Sequence, residues 1–377
     1  MHIEKQGIGN KLLSPFAITS DMPFKIVSPH TSGLDMGVEH IGMFSLVMYC
    51  LITLVGTVGN GLIIYMTGFK MKKTVNTVWF LNLALADFLF TAFLVFTAVS
   101  LSQQHHWPFG QFMCKLNNFV SLVNMFASVF FLAAISLDRC VSIWVVVWAH
   151  NKRTVCKAQV ISAAIWLAAA ICSIPYAYFR TVEVGKNQTN CRYPSTMTEN
   201  QDWTLCIFRF VMGFLIPFLA IFFSHVAIWI RARRMQRMKK QRCHRIIFSI
   251  IFAFFICWLP FHVLAFIQLK FHASSDVQNF IHVAGPLTVS LAFMNSCLNP
   301  ILYVFMCDEF QKKLKQSICS VIESALAEDH VLFGSSRSLS SHFSSTLQRC
   351  QSVACKLVEL GFNQFNFFCS QKSIETN

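Results

Sequence analysis

"FVSLVNMFASVFFLAAISLDRC", residues 119–140, runs for nineteen residues without a charge before Asp138 and Arg139 appear side by side. A helix rises about 1.5 Å per residue, so a run of this length spans roughly the 30 Å hydrocarbon core of a bilayer. A charge is expensive inside hydrocarbon and cheap at its edge. The acid–base pair therefore marks either an ordinary membrane boundary or a switch placed at one. The rest of the chain decides between them.

Composition points to a membrane protein. The 377 residues are 55% hydrophobic and only 13% charged, with a mean hydropathy of +0.52. A soluble chain of this size needs more charge to cover its surface. Phe is used 39 times, which suits lipid-facing and interhelical packing. The net charge of +14 does not indicate nucleic acid, because the basic residues lie between apolar runs rather than over a soluble fold. Of the 15 cysteines, Cys50, Cys172, Cys257 and Cys297 fall inside apolar runs, where Cys acts as a small hydrophobe. No spacing of the CxxC kind suggests a metal. The start, "MHIEKQGIGNKLLSPF", lacks a signal peptide's apolar core, so the first apolar run is expected to serve as an uncleaved signal anchor.

Seven runs are long enough to cross a bilayer: about 41–67, 77–100, 112–143, 159–179, 205–230, 245–269 and 281–306. None alternates in the manner of a membrane β-strand. Lys and Arg gather in one set of loops: Lys70, Lys72 and Lys73, then Lys152, Arg153 and Lys157, then the cluster from Arg231 to Arg245. The opposite loops hold Arg180, Lys186, Arg192 and Lys270. The positive-inside rule makes the first set cytoplasmic. An odd number of spans then places residues 1–40 outside and the carboxy-terminal tail inside. The sequon Asn187-Gln188-Thr189 falls in an outer loop, as a glycosylation site must.

Polar groups within the spans are the functional candidates. Asp87 lies mid-span. Asn124 and Ser128, four apart on the third helix, share a face, as do Asn295, Asn299 and Tyr303 on the seventh, with Ser296 beside them. An acid amid amide and hydroxyl oxygens suits a small hard cation such as Na⁺; a water-filled hydrogen-bond cluster is the alternative. Pro260, two residues after Trp258, and Pro300, next to Asn299, kink two helices beside this polar core. Arg209 lies near the outer end of the fifth span, about two turns before Pro217. It either snorkels to the outer headgroups or forms an anion-binding floor in an outward cavity, with Arg180 in support.

The motifs "GN" at 59–60, "NLALAD" at 82–87, "WPFG" at 107–110, Cys114, "DRC" at 138–140, Trp166, Pro217, "CWLP" at 257–260 and "NPILY" at 299–303 occur in order across all seven spans. This set resembles the rhodopsin-like (class A) G-protein-coupled receptors over residues about 40–320. "SLDRC", "CWLPFH" and "NSCLNPILYVFM" resemble the chemoattractant branch, most nearly the chemerin receptors, with the formyl-peptide and complement anaphylatoxin receptors nearby. Amine receptors carry an Asp seven residues after the third-span Cys, where this chain has Ser121.

The resemblance implies an all-α membrane protein: a seven-helix bundle over 41–306, a short amphipathic helix on the inner leaflet over 307–320, and a Ser/Thr-rich tail over 321–377. It implies a plasma-membrane receptor for a peptide or small-protein chemoattractant, working through an inhibitory-type G protein, arrestin and receptor kinases, and driving leukocyte-type chemotaxis. It gives Asp138 and Arg139, with Asn299, Pro300 and Tyr303, the role of a G-protein switch, in which Asp138 holds Arg139 at rest. Trp258, Pro260 and Pro217 would transmit the change. Arg209, Arg180, Asn118, Phe261 and His262 would bind ligand, and Asp87, Asn124, Ser128, Asn295 and Asn299 would form a Na⁺ site, with no other cofactor. Cys114 and Cys191 would form the outer disulfide. Cys319 is either palmitoylated or a free thiol, and the serines from Ser335 to Thr346 read as a kinase and arrestin tail.

Two departures from the family pattern matter. Lys240 stands near the point where many members have an acid that locks Arg139. His225 stands eight residues after Pro217, where most have a Tyr that supports the active state. His225 keeps open a decoy receptor that signals weakly. Receptors for formylated or complement-type peptides are a further alternative. A transporter built around Asp87 lacks inverted repeats and paired broken helices, and no nucleophile–base set or cofactor motif suggests an enzyme.

Overall fold

A computed structural model of the chain describes residues 32–185, 188–194, 196–234, 241–271, 274–306 and 316. Seven helices within it are long and apolar enough to span a membrane, and each coincides with one of the expected runs. The helices are α1 (Ser32–Tyr65), α2 (Val75–Ser102), α3 (Gly110–Trp144), the short α4 (Val146–Lys152), α5 (Val155–Phe179), α6 (Glu199–Phe210), α7 (Ile216–Arg234), α8 (Gln241–Lys270) and α9 (Ser275–Met306). A hairpin of β1 (Thr181–Val184) and β2 (Thr189–Arg192) joins α5 to α6. Asn187, Lys240, the segment 307–320 apart from residue 316, Cys319 included, and the serine tail lie outside the described residues, as does the Tyr303 side chain.

The helices extend past the apolar runs because hydrogen bonding does not stop at the membrane edge. Thr198 caps α6, accepting from the Gln201 amide while the Gln201 side chain accepts from the Thr198 amide. This box starts the fifth span at Glu199, six residues before the expected 205. Thr74 and Thr77 cap α2 in the same way. The helix α1 likewise begins at Ser32, ahead of its span, which starts at His40 beside the expected 41.

The fifth span is not a single α-helix. A π-turn, Val211–Leu215, separates α6 from α7 just before Pro217. Proline has no N–H to give the carbonyl four residues back, and its ring crowds that carbonyl, so a widened turn there relieves the conflict. Gly213 in this turn faces α3 so closely that a Cβ would come 3.0 Å from Met125 Cε.

α3 runs through the middle of the bundle, packing on α2, α5 and α7, while α1 packs on α2 and α9, and α8 on α9. Phe126, Phe131, Ala127 and Val129 of α3 are fully buried, in keeping with that central place. Lipid-facing positions such as Val58, Leu167 and Phe223 stay exposed, because hydrocarbon rather than protein covers them. Two motif residues meet: Trp166 Nε1 of α5 donates to Asn82 Oδ1 of α2 at 2.9 Å.

Candidate functional site

The outer half of the bundle holds a cavity lined by residues of α2, α3, α6, α8 and α9. The hairpin covers it, tethered by the disulfide between Cys191 of β2 and Cys114 of α3, as the resemblance implied. Trp107 fixes the hairpin further: its amide donates to the Thr189 carbonyl at 2.7 Å, and its indole to the Gly110 carbonyl at 3.0 Å. Gln111 of α3 binds both sides of the α5–β1 corner, donating to the Arg180 carbonyl and accepting from the Val182 amide.

Both expected guanidiniums line this cavity, and both are buried. Arg180, which closes α5, lies over the Tyr193 ring at 4.9 Å, and Arg209 of α6 lies over the Phe261 ring at 4.6 Å. A cation over an aromatic face is held by the ring quadrupole, and Arg takes this place more often than Lys. Asn118 reaches the cavity and donates to Tyr193 Oη at 3.3 Å. The polar wall also includes Thr97, Asn117 and Ser121; the apolar wall is Leu122, Met125, Trp258, Phe261, Val289 and Phe293. Burying a charge this deep favours an anionic ligand group.

One expectation about this cavity is corrected. His262 does not line it. One residue further round α8 than Phe261, His262 turns away and packs among Phe210, Phe214 and Trp258, with ring centroids 5.7, 5.2 and 6.3 Å away. The added turns of α6 bring in Asp202, seven residues before Arg209 and buried on the same face.

Below the cavity, Asp87 is completely buried and fully engaged. Asn124 Nδ2 donates to Oδ1 at 2.9 Å, Ser128 Oγ to the same oxygen at 3.3 Å, and Asn299 Nδ2 to Oδ2 at 2.6 Å. The helix spacing that placed these residues on common faces is thus realised in contact. Asn295 is buried nearby, but no hydrogen bond joins it to the group among the described residues. Ser296 takes that place, donating to Asn124 Oδ1 at 3.4 Å, and its carbonyl accepts from Asn60 Nδ2 at 3.0 Å. The set offers carboxylate, hydroxyl and amide oxygens, which suit a hard cation.

At the inner end the resting pair differs from expectation. Asp138 is bound by Arg153, Nε to Oδ1 at 2.8 Å and Nη2 to Oδ2 at 2.7 Å. Among the described residues no hydrogen bond or ion pair joins Asp138 to Arg139. Nearby, Trp144 Nε1 donates to the Ala227 carbonyl of α7 at 3.1 Å, with Arg231 over the indole at 5.5 Å. His225 lies half-buried two residues before that carbonyl.

Residues 59–303 match the family model described as 7 transmembrane receptor (rhodopsin family). The chain belongs to this rhodopsin family of seven-transmembrane receptors. Among curated relatives it is 41% identical to the C3a anaphylatoxin chemotactic receptor of Danio rerio over 297 residues, covering 77% of this chain and 80% of that receptor. It is 38% identical to Chemerin-like receptor 1 of Sus scrofa over 317 residues, covering 79% and 86%. It is 35% identical to Chemerin-like receptor 2 of Homo sapiens over 321 residues, covering 84% and 88%. As a rhodopsin-family receptor the chain is a multi-pass membrane protein and not an enzyme. Within that family frame, Arg153, Ser296 and Asp202 are the site residues that sequence reasoning missed.

Proposed function

We propose that the chain is a plasma-membrane receptor for a chemoattractant peptide or small protein of the chemerin or complement kind, with its amino terminus outside. The observation that carries this reading is the outward cavity with two buried, ring-backed guanidiniums and an otherwise mainly apolar wall. Such a cavity suits the end of a peptide: a carboxylate for Arg209 and Arg180, apolar side chains for the rest. The named chemotactic and chemerin-like relatives support the same class. We assign signalling to an inhibitory-type G protein, with receptor kinases and arrestin acting on the inner face and tail, and leukocyte-type chemotaxis as the outcome. Arg139 is the group offered to the G protein. Trp258 at the cavity floor, with Pro260 and Pro217 on the adjoining helices, carries ligand contact inward.

Asp87, with Asn124, Ser128, Ser296 and Asn299, is assigned to allosteric Na⁺, whose charge would be met by the Asp87 carboxylate. The oxygen-rich donor set supports this. These residues reach from α2 and α3 to α9, so their contacts couple the helices that must shift on activation.

The deciding experiment is a screen of chemerin-type, formylated and complement-type peptides on cells expressing the full chain, reading G-protein activation and arrestin recruitment. Activation by one class, lost in Arg139→Ala with surface expression and binding retained, is the expected result. Silence toward all three, or undiminished signalling by Arg139→Ala, counts against the reading. His225 favours one second reading, a decoy that binds and internalises ligand with weak signalling; arrestin recruitment or uptake without G-protein activation would support it.

A further inference from the structure

The loop between α4 and α5 delivers a single side chain, Arg153, to two helices at once. Its guanidinium grips both oxygens of Asp138 on α3 at 2.8 and 2.7 Å, and Nη2 also donates to Asn76 Oδ1, in the first turn of α2, at 2.6 Å. The pair is partly shielded, with side-chain exposures of 26% for Arg153 and 15% for Asp138. Lysine cannot reproduce a two-bond grip of this kind. Arg139, next in the chain, is half-buried, and among the described residues no hydrogen bond or ion pair holds it.

A carboxylate whose two oxygens and charge are already met by one guanidinium attracts a second much less strongly. Two arginines fourteen positions apart, one bound to Asp138 and the other next to it in the chain, therefore compete for one acid. We propose that Arg153 is a positioning residue that keeps Asp138 occupied and so leaves Arg139 uncommitted for the G protein. This rests on the reading of Arg139 as the G-protein contact. The resting state is then tuned from the second inner loop: Arg153 leaving Asp138 returns that acid to Arg139 and withdraws Arg139 from the inner face.

The test uses the full chain in lipid nanodiscs and measures binding of a nucleotide-free inhibitory-type G-protein heterotrimer without any ligand. Arg153→Ala should weaken binding roughly three- to tenfold, the size expected for a population shift driven by one partly exposed ion pair. Adding Asp138→Asn to that variant should restore binding, because Arg139 then has no acid to fall back on. A merely structural Arg153 predicts no rescue. Arg153→Lys should lie between, and it carries the same pair of measurements if the alanine variant is not expressed. Undiminished binding on loss of Arg153, or a loss that persists with Asp138→Asn, overturns the proposal. Arg139→Ala separates the two layers: tight binding there overturns the reading beneath, whereas weak binding there with normal binding by Arg153→Ala overturns this inference alone.

Discussion

The guanidinium of Arg209 lies over the ring of Phe261, its central carbon 4.6 Å from the ring centroid. The ring occupies one face of the cation and leaves its N–H edge for hydrogen bonds. Guanidinium has five donors in a planar fork, a geometry that fits a carboxylate. Removing the terminal carboxylate of an activating peptide by amidation should therefore lower affinity by about 1.5–3 kcal/mol, the range for a charge-assisted bond. Arg209→Ala should cost a similar amount, and the two changes together clearly less than their sum. Competition binding on the four combinations measures this; full additivity would mean that Arg209 and the carboxylate do not meet.

Asp87 accepts from α3 and α9 at once, so any cation that draws its oxygens together favours one packing of those helices. On the Na⁺ assignment proposed above, raising Na⁺ at constant ionic strength should lower agonist affinity. Asp87→Asn should abolish that dependence. A wild-type receptor indifferent to Na⁺ in radioligand competition would leave the cluster as a hydrogen-bond network alone.

His225 stands on α7 two residues before the carbonyl that accepts from Trp144. If the receptor signals weakly, His225→Tyr should raise the maximal G-protein response without changing ligand affinity. A wild type that already couples fully, with no gain in the variant, removes the decoy reading. Nucleotide exchange in membranes, compared with ligand uptake by cells, reads both.

Gly56 of α1 permits the closest approach to α2. A Cβ there would come 2.4 Å from Thr91 Cγ2 and 3.2 Å from Cys297 Sγ. Gly56→Ala should destabilise the receptor by about 1–3 kcal/mol through overpacking. Gly42→Ala, where a Cβ meets nothing within 4 Å, should not. Thermal unfolding of the two variants in the same detergent gives the comparison.

The seven spans and the residues around Asp87 were legible because length, charge-free runs and four-residue spacing are properties of the chain alone. What was not legible depends on helix phase and on loops. Asn295 and Ser296 are one position apart, about 100° around a helix, and residue types alone do not say which of them faces Asn124. The same single step separates Phe261, which lines the cavity, from His262, which does not. Asp138 has a cation beside it in sequence, yet its partner is fifteen residues away, carried there by α4, a helix too short and too ordinary in composition to announce itself. Asp202 was missed because counting apolar residues stops where polarity begins, whereas the capping box sits beyond that point.

The π-turn at Val211–Leu215 gives the fifth span something like a reading frame. Asp202 and Ile228 are both buried and lie 26 residues apart, seven turns in which an unbroken α-helix would use about 25 residues. The surplus residue is absorbed in the turn, and each residue rotates the helix by about 100°. Deleting one residue of the π-turn would leave 25 and an unbroken helix in the same phase, whereas deleting one between 218 and 227 would swing Asp202, Leu205 and Arg209 by that angle relative to the inner half. Arg209 would then point at a neighbouring helix or at lipid, with every side chain of the cavity still present in the sequence. Outside the π-turn this helix cannot change by a single residue without turning Arg209 away from the cavity.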